Sequence, residues 1–311
     1  MEYINFARWT RKNECGGSEE LYNQEYPKSP EVAFRSTGNP VFNRSLIYQM
    51  PIEAGRKGRL HLDKTGWSEK IRFAEDSMGP LTVFRAPIQG HRYVVTLDTA
   101  EGLRDDQGRN PDATVCDVYD LDNGGEQVAV LAGQISPTEV MDPWWLLMRW
   151  YNMAFGVPER NNTGEYPCLT ITRPPYSYPE DRLYHMEHVD KRGGIARRGV
   201  GWKTNVATRN NLIDTLSEFM EAGQIRFHSI KTQEELLHFV TRAGRRQADV
   251  GFHDDHVITA GLACKGIQSY PVSLEYLRRQ QQRMGGLAIG SANQANKKRP
   301  DIDGYGTRGD L

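Results

Sequence analysis

From about residue 91 onward, hydrophobic and polar residues follow strand-like and then helix-like spacing. Tyr93 to Leu97 is a run of β-forming residues, and residues 113–119 and 128–133 give two further runs of this kind. Asp122-Asn123-Gly124-Gly125 lies between the last two runs and is typical of a hairpin turn. These patterns predict an antiparallel meander of three strands.

Farther along the chain, apolar residues recur at helical spacing. This spacing predicts helices over residues 143–155, 209–221, 232–241 and 254–267. In the third helix we expect Thr232 to be the N-cap and Glu235 to be its capping-box partner. A short strand is predicted at residues 224–228. A strand meander followed by alternating helices and strands predicts an α/β fold with a mixed β-sheet flanked by helices.

The first part of the chain is less regular. Residues 1–88 mix polar turns with short apolar pieces, and residues 57–86 predict a few short strands. We therefore expect an N-terminal connector over residues 1–88 and a main domain over residues 89–272. Residues 273–311 are rich in Gln, Arg, Asn, Gly and Asp, which predicts a flexible C-terminal tail.

Composition narrows the class of protein. The chain has 311 residues, a mean hydropathy of −0.65 and no apolar run of membrane-spanning length. Its four cysteines form no CxxC pair, which favours reduced, mostly buried thiols in a cytosolic protein. The formal net charge of −1 gives no general attraction for nucleic acid, so contacts with DNA would require local basic patches.

Acidic residues stand where predicted elements begin or end. Asp98 closes the first strand, Glu159 follows a helix, and Asp254-Asp255 opens the last helix. Each one alone is typical of a turn, a surface position or a helix cap. Carboxylates that come from separate elements also suit Mg²⁺ and Mn²⁺, which prefer oxygen ligands. Metal-dependent phosphodiester cleavage is therefore the leading hypothesis.

Neighbouring residues refine this hypothesis. Asp112, which starts the second strand, and His253, which precedes Asp254, are candidate auxiliary ligands. A zinc site built on His253 and His256 is weaker, since no second Cys/His cluster accompanies it. Residues 199–204 resemble a phosphate-binding loop, but Trp202 stands where that loop needs glycine, so we expect no ATPase activity in this chain.

Basic residues concentrate in two stretches. The first contains Lys191, Arg192, Arg197, Arg198, Lys203 and Arg209, and the second contains Arg242, Arg245 and Arg246. Each stretch alone is typical of a solvated loop. Beside a carboxylate site, they predict a surface that follows a DNA backbone with little sequence preference. The predicted DNA contacts are Arg192, Arg197, Arg198, Lys203 and Arg209.

Several strings occur in one particular order. They are Asp98, Glu159-Arg160-Asn161-Asn162 with Gly164, Gly201-Trp202-Lys203-Thr204 with Arg209, Glu234-Glu235-Leu236 with Phe239, and His253-Asp254-Asp255. Each string is weak alone, but their joint order and spacing resemble the nuclease domain of the large terminase subunit of tailed bacteriophages. The resemblance covers residues 8–270, and residues 24–42 resemble the exit from the family's ATPase domain.

This resemblance implies a ribonuclease-H-like nuclease domain over residues 89–272 and a metal-dependent endonuclease of viral genome packaging. Such an enzyme cuts concatemeric double-stranded DNA with two Mg²⁺ or Mn²⁺ ions. Asp98 would bridge both ions, and Glu159 with Asp254 or Asp255 would complete their ligands. The implied partners are double-stranded DNA, the portal protein, the small terminase subunit and a separate or removed ATPase motor, in the host cell cytoplasm and without a membrane.

Two alternatives stay open at the level of sequence. One is another ribonuclease-H-like nuclease, either a junction resolvase or an RNA–DNA hybrid nuclease. The other is a non-catalytic module that docks on DNA or on a portal. The sequence also leaves open whether Asp254 or Asp255 is the metal ligand.

Overall fold

The computed structural model describes residues 9–10, 12–13, 39–66, 68–101, 112–189 and 195–270. Within these ranges, it describes the backbone alone for Asn162 and for residues 187–189 and 195–198. The strands are β1 (Asn39–Pro40), β2 (Arg56–Thr65), β3 (Ser68–Glu75), β4 (Leu81–Val83), β5 (Tyr93–Leu97), β6 (Thr114–Asp120), β7 (Glu126–Gly133), β8 (Phe155–Pro158), β9 (His185–Val189), β10 (Ile195–Val200), β11 (Phe239–Arg242) and β12 (Arg245–Ala248). The α-helices are α1 (Arg44–Tyr48), α2 (Met141–Trp150), α3 (Glu165–Thr170), α4 (Val206–Glu221), α5 (Ile230–Leu237) and α6 (Asp255–Gln268).

Seven strands form the central sheet in the order β3-β2-β4-β7-β6-β5-β8. Neighbouring strands are antiparallel except for β5 and β8, which are parallel. The predicted fold class, a mixed sheet flanked by helices, is confirmed. The β5-β6-β7 meander is also confirmed, and its hairpin turn places Gly124 and Gly125 at positive φ values of 67° and 68°.

Helices cover both faces of the sheet around β5. Val94 packs in the apolar cluster beneath α4 and α6, and the next residue, Val95, packs in the cluster beneath α2. This alternation follows from the opposite directions of successive side chains in a strand. Helix α6 lies very close to the sheet, since a Cβ atom at Gly266 would come within 2.7 Å of Val157.

The short strands predicted within residues 57–86 are confirmed as β2, β3 and β4. They extend the same sheet, because β4 pairs with β7. The predicted boundary at residue 89 therefore falls within one continuous sheet. The division into connector, nuclease domain and tail stays a prediction, and residues 273–311 lie outside the described part of the chain.

The helix predicted over residues 143–155 is wrong at its C-terminal end. Helix α2 ends at Trp150, the chain turns through Asn152 and Met153 with positive φ values of 57° and 56°, and Phe155 begins β8. Phe155 continued the helical spacing only by coincidence, since it faces the core from a strand. The missed strand is important because it carries the chain directly to Glu159.

Other boundaries also differ from the prediction. Helix α4 begins at Val206, three residues before Arg209, because Asn205 and Thr208 form a capping box. The predicted strand at 224–228 is wrong: an isolated bridge joins Arg226 to Glu126. The last predicted helix is confirmed as α6.

The capping box predicted for the third helix is wrong. Ser229, not Thr232, caps helix α5, which ends at Leu237. The residues that follow turn back as strand β11, which pairs with β12. The carboxyl group of Glu235 is consequently available for a contact outside its own helix.

Cys116, Cys168 and Cys264 are buried free thiols, as predicted, and Cys15 lies outside the described residues. Among the described residues, no helix has the length and apolar character needed to cross a membrane.

Candidate metal centre

Asp98 and Glu159 lie side by side because the strands before them are parallel neighbours. The register pairs Leu97 of β5 with Pro158 of β8, so the next residue of each strand reaches the same edge of the sheet. The Glu159 amide donates a hydrogen bond of 2.7 Å to the Leu97 carbonyl oxygen. On its other side, Asp98 exchanges two backbone hydrogen bonds with Val115, of 2.8 and 2.9 Å. Backbone pairing on both sides therefore fixes the position of Asp98.

The loop after Glu159 is held by the residues of two sequence motifs. The Arg160 amide donates to the Trp202 carbonyl oxygen at 2.7 Å, and the Trp202 amide donates to the Pro158 carbonyl oxygen at 2.8 Å. The Asn161 side-chain amide donates to Glu159 Oε1 at 2.9 Å. The two motifs therefore form one structural unit around the Glu159 carboxylate.

Close backbone packing in this unit requires glycine at two positions. A Cβ atom at Gly164 would lie 2.2 Å from the Glu159 carbonyl oxygen. Gly201 has a φ of +89°, and a Cβ atom there would lie 2.8 Å from both Cys168 Sγ and the Pro158 carbonyl oxygen. These glycines allow the chain to close tightly behind Glu159.

Helix α6 brings Asp254 and Asp255 to the same edge of the sheet, but gives them different partners. Asp254 is the N-cap residue, and its carboxylate forms an ion pair with Arg209 of α4. Asp255 lies in the first turn, and its Oδ2 atom accepts a hydrogen bond of 2.8 Å from the Ala113 amide. The Arg209 guanidinium therefore balances the charge of Asp254, whereas the hydrogen-bond donor to Asp255 is an uncharged backbone amide.

The acidic groups influence one another electrostatically. Burial raises the pKa of Asp98 well above its ordinary value, and the carboxylates of Glu159, Asp255 and Asp254 raise it further. Burial also raises the pKa of Asp255 to about 6, against the hydrogen bond from Ala113, and Asp112 and Asp254 add to this increase. This repulsion among carboxylates is what a bound divalent cation relieves, so the donor set fits such an ion.

The two predicted auxiliary residues lie beside Asp255. One possible ligand atom from each of Asp112, His253 and Asp255 lies within 4.8 Å of the others. The His253 Nδ1 atom is 2.9 Å from Asp112 Oδ1. Asp112 reaches this position because the Ala113–Asp255 hydrogen bond joins the start of β6 to the start of α6.

Sequence reasoning missed Glu235, a buried acid on helix α5. Its carboxyl group accepts a hydrogen bond of 2.7 Å from the His256 amide at the start of α6. Burial raises the pKa of Glu235 to about 8, and the charge of Asp255 contributes. A buried carboxyl group at this place supports the helix end that presents Asp254 and Asp255. The only sequence signal was an acid at an apolar helix face, and the predicted capping box explained it wrongly.

Asp117 of β6 is a second buried acid that sequence reasoning missed. Its Oδ2 atom accepts a hydrogen bond of 2.7 Å from Thr259, one turn after Asp255 in α6. Gln127 and Tyr119 also donate to this carboxyl group. Burial nevertheless raises its pKa to about 7. Asp117 thus joins α6 to the middle of the sheet.

The predicted DNA contacts have different positions. Lys203 is exposed at the chain segment that follows Trp202, and Arg209 is half-buried and paired with Asp254. Arg197 and Arg198 lie in β10, where the backbone alone is described, and Arg192 lies outside the described residues. In the second basic stretch, Arg242 pairs with Asp249 and Arg246 with Asp214. A role in DNA binding stays a prediction for all of the first group.

Proteins similar to this chain occur among solved structures. No protein-family model and no curated protein matches the chain. Among solved structures, the large terminase nuclease of thermophilic phage G20c with bound magnesium matches at 18% identity and a TM-score of 0.47, over 73% of this chain and 97% of that chain. The chain resembles the nuclease domain of phage large terminases.

Two further structures match at a similar level. The G20c nuclease with bound cobalt matches at 19% identity and a TM-score of 0.45, over 73% of this chain and 97% of that chain. The large terminase nuclease domain of Thermus phage P74-26 matches at 18% identity and a TM-score of 0.46, over 73% and 95% of the two chains.

Proposed function

We propose that this chain is a metal-dependent endonuclease that cuts double-stranded DNA during viral genome packaging. One observation supports this proposal most strongly. The carboxyl groups of Asp98, Glu159, Asp254 and Asp255 come from two strand ends and a helix start, and burial together with the charges of the other three raises the pKa of Asp98. A divalent cation at this edge of the sheet would relieve the repulsion among these buried carboxylates.

In this proposal, the carboxylates of Asp98, Glu159 and Asp255 would hold two Mg²⁺ or Mn²⁺ ions. When bound, the ions would activate a water molecule and stabilise the leaving 3′ oxygen. Asn161 orients the Glu159 carboxylate through its 2.9 Å hydrogen bond. The Ala113 amide orients Asp255 in the same way, at 2.8 Å.

Different partners support different roles for the two neighbouring aspartates. Asp254 already has the Arg209 guanidinium as its counter-ion, which lowers its value as a metal ligand. Asp255 has no such cation in direct contact among the described residues, and the charges of Asp112 and Asp254 act on it. We therefore assign the metal-binding role to Asp255, and a positioning role to Asp254 through α4.

The wider assembly is part of the same proposal. Concatemeric DNA would be the substrate, and Lys203, Arg192, Arg197 and Arg198 would contact its backbone without reading the sequence. Portal protein, small terminase subunit and an ATPase motor would be the partners in the host cell cytoplasm. The resemblance of the motifs to terminase nucleases supports these assignments.

The test is a plasmid-nicking assay with Mn²⁺, Mg²⁺ or excess chelator. Wild-type protein should nick and linearise plasmid with either ion and be inactive in chelator, whereas Asp98→Ala should be inactive throughout. Asp63→Ala is a matched control, because Asp63 is an exposed acid paired with Arg72 on the β2–β3 hairpin. Cleavage by Asp98→Ala at the wild-type rate would overturn the proposal, and stronger cleavage of a four-way junction or an RNA–DNA hybrid than of plain duplex would favour the corresponding nuclease class.

A further inference from the structure

We infer that Asp112, His253 and Asp255 form a further divalent-metal site, which prefers Mn²⁺, Co²⁺ or Zn²⁺ over Mg²⁺. This site lies beside the proposed cleavage centre and shares only Asp255 with it. The inference rests on the proposed function for a biological role, but the binding of the metal is independent of cleavage.

The geometry of the three side chains fits one ion. One possible ligand atom from each residue lies within 4.8 Å of the other two. Bonds of about 2.0–2.2 Å from nitrogen or oxygen to a first-row metal place pairs of ligands roughly 3–4.4 Å apart. Small rotations of the side chains would therefore bring all three atoms onto a single ion.

The backbone prepares this arrangement before any metal binds. The Ala113 amide donates to Asp255 Oδ2 at 2.8 Å, which joins residues that are far apart in the sequence. Two residues later, Val115 pairs with Asp98 through backbone hydrogen bonds. Asp112 is therefore delivered next to His253 by the same pairing that builds the proposed cleavage centre.

A simple ion pair explains the arrangement poorly. The Asp112 side chain is 75% exposed, and its contact with His253 is 2.9 Å long. Exposed ion pairs of this kind contribute only about 0–1 kcal/mol. Such a pair would not require a second carboxylate, that of Asp255, with an oxygen within 4.8 Å of a ring nitrogen of the same histidine. An imidazole with two carboxylates is the donor set that suits borderline first-row metals.

A cleft gives the ion access to solvent and to a ligand. It has a volume of about 370 Å³, and its lining includes His253, Asp255, Glu235 and Lys231. Three protein ligands leave coordination positions open for water or for a phosphate oxygen.

The test is electron spin-echo spectroscopy of Mn²⁺ bound to the whole chain, in buffer without nitrogen ligands. Mn²⁺ held by His253 should show nitrogen modulation from the imidazole. His253→Gln should lose this modulation, and Asp112→Asn should weaken binding of that ion at least about 10-fold. His185→Gln is the matched control, because His185 lies on β9 and contacts Glu180, which is outside the proposed site. Circular dichroism would confirm that each variant folds.

The outcomes separate this inference from the proposed nuclease. Nitrogen modulation that persists in His253→Gln, or Mn²⁺ binding without any modulation in the wild type, would overturn the metal site. Asp98→Ala should abolish cleavage but keep the modulation, since Asp98 is not among the three ligands. If the wild type shows modulation and cuts no DNA, the metal site stands and the nuclease proposal fails.

Discussion

The glycine behind the Glu159 loop offers a sharp test of the site geometry. Gly164 has an ordinary φ of −70°, so an alanine there meets no backbone strain of its own. Its Cβ atom would instead lie 2.2 Å from the Glu159 carbonyl oxygen, where real Cβ contacts stay beyond 3.0 Å. Gly164→Ala must therefore move the backbone of Glu159 or of its loop.

The size of the effect follows from this contact. Restoring a separation of 3.0 Å from 2.2 Å needs a movement of about 0.8 Å at the Glu159 backbone. A misplacement of about 1 Å at a catalytic group costs about 100-fold in rate. We expect Gly164→Ala to lower the cleavage rate roughly 10- to 100-fold, with a stability loss of about 1–3 kcal/mol from overpacking.

The measurement is the initial rate of plasmid nicking in saturating Mn²⁺, with unfolding by urea as a check on stability. Gly133→Ala is the matched control, because its nearest contact would be Ile135 at 3.8 Å. Gly133→Ala should cut at the wild-type rate. Equal rates for Gly164→Ala, Gly133→Ala and wild type would refute the role assigned to the Glu159 loop.

Three further predictions concern the acids around this centre. Burial raises the pKa of Asp117 from 3.8 to about 7, so the free energy of unfolding should fall as the pH rises between these values. In Asp117→Asn, this pH-dependent fall should be smaller by up to about 4 kcal/mol. Identical pH profiles of urea unfolding in both proteins would contradict this prediction. Glu235→Ala should lower the free energy of unfolding by about 1–2 kcal/mol because the His256 amide loses its acceptor. Glu235→Gln should unfold with nearly the wild-type free energy. A Glu235→Ala variant as stable as the wild type would contradict the importance of this contact. Asp255→Asn should abolish plasmid cleavage, whereas Asp254→Asn should retain part of the wild-type rate. If Asp254→Asn loses all cleavage and Asp255→Asn retains some, Asp254 is the metal ligand and the assignment is wrong.

Local pattern was enough to predict much of the sheet. The β5-β6-β7 meander follows from apolar runs separated by turn residues, and Gly124 and Gly125 adopt the positive φ values that such a turn requires. Asp98 and the Asp254-Asp255 pair could be recognised for the same reason, since the end of the first strand and the start of the last helix are visible in the sequence. The resemblance to terminase nucleases likewise depends on the joint order and spacing of several short strings, which can be read from the sequence.

Contacts between distant residues could not be predicted in this way. Strand β8 is short, and Phe155 continues the spacing of helix α2, so the parallel pairing that sets Glu159 beside Asp98 had no local signal. Glu235 supports an amide 21 residues away, and this contact depends on how α5 packs against α6. The pairing of Arg209 with Asp254 likewise depends on the approach of α4 to α6, and no spacing rule reports it.

The central claim is that the converging carboxylates cut DNA with bound metal ions. Its most direct test is the Mn²⁺-dependent nicking rate of Asp98→Asn, which keeps the size of the side chain but removes its charge. We predict a rate no greater than that of wild-type protein in excess chelator, with the same fold by circular dichroism. Cleavage by folded Asp98→Asn at the wild-type rate would contradict the account.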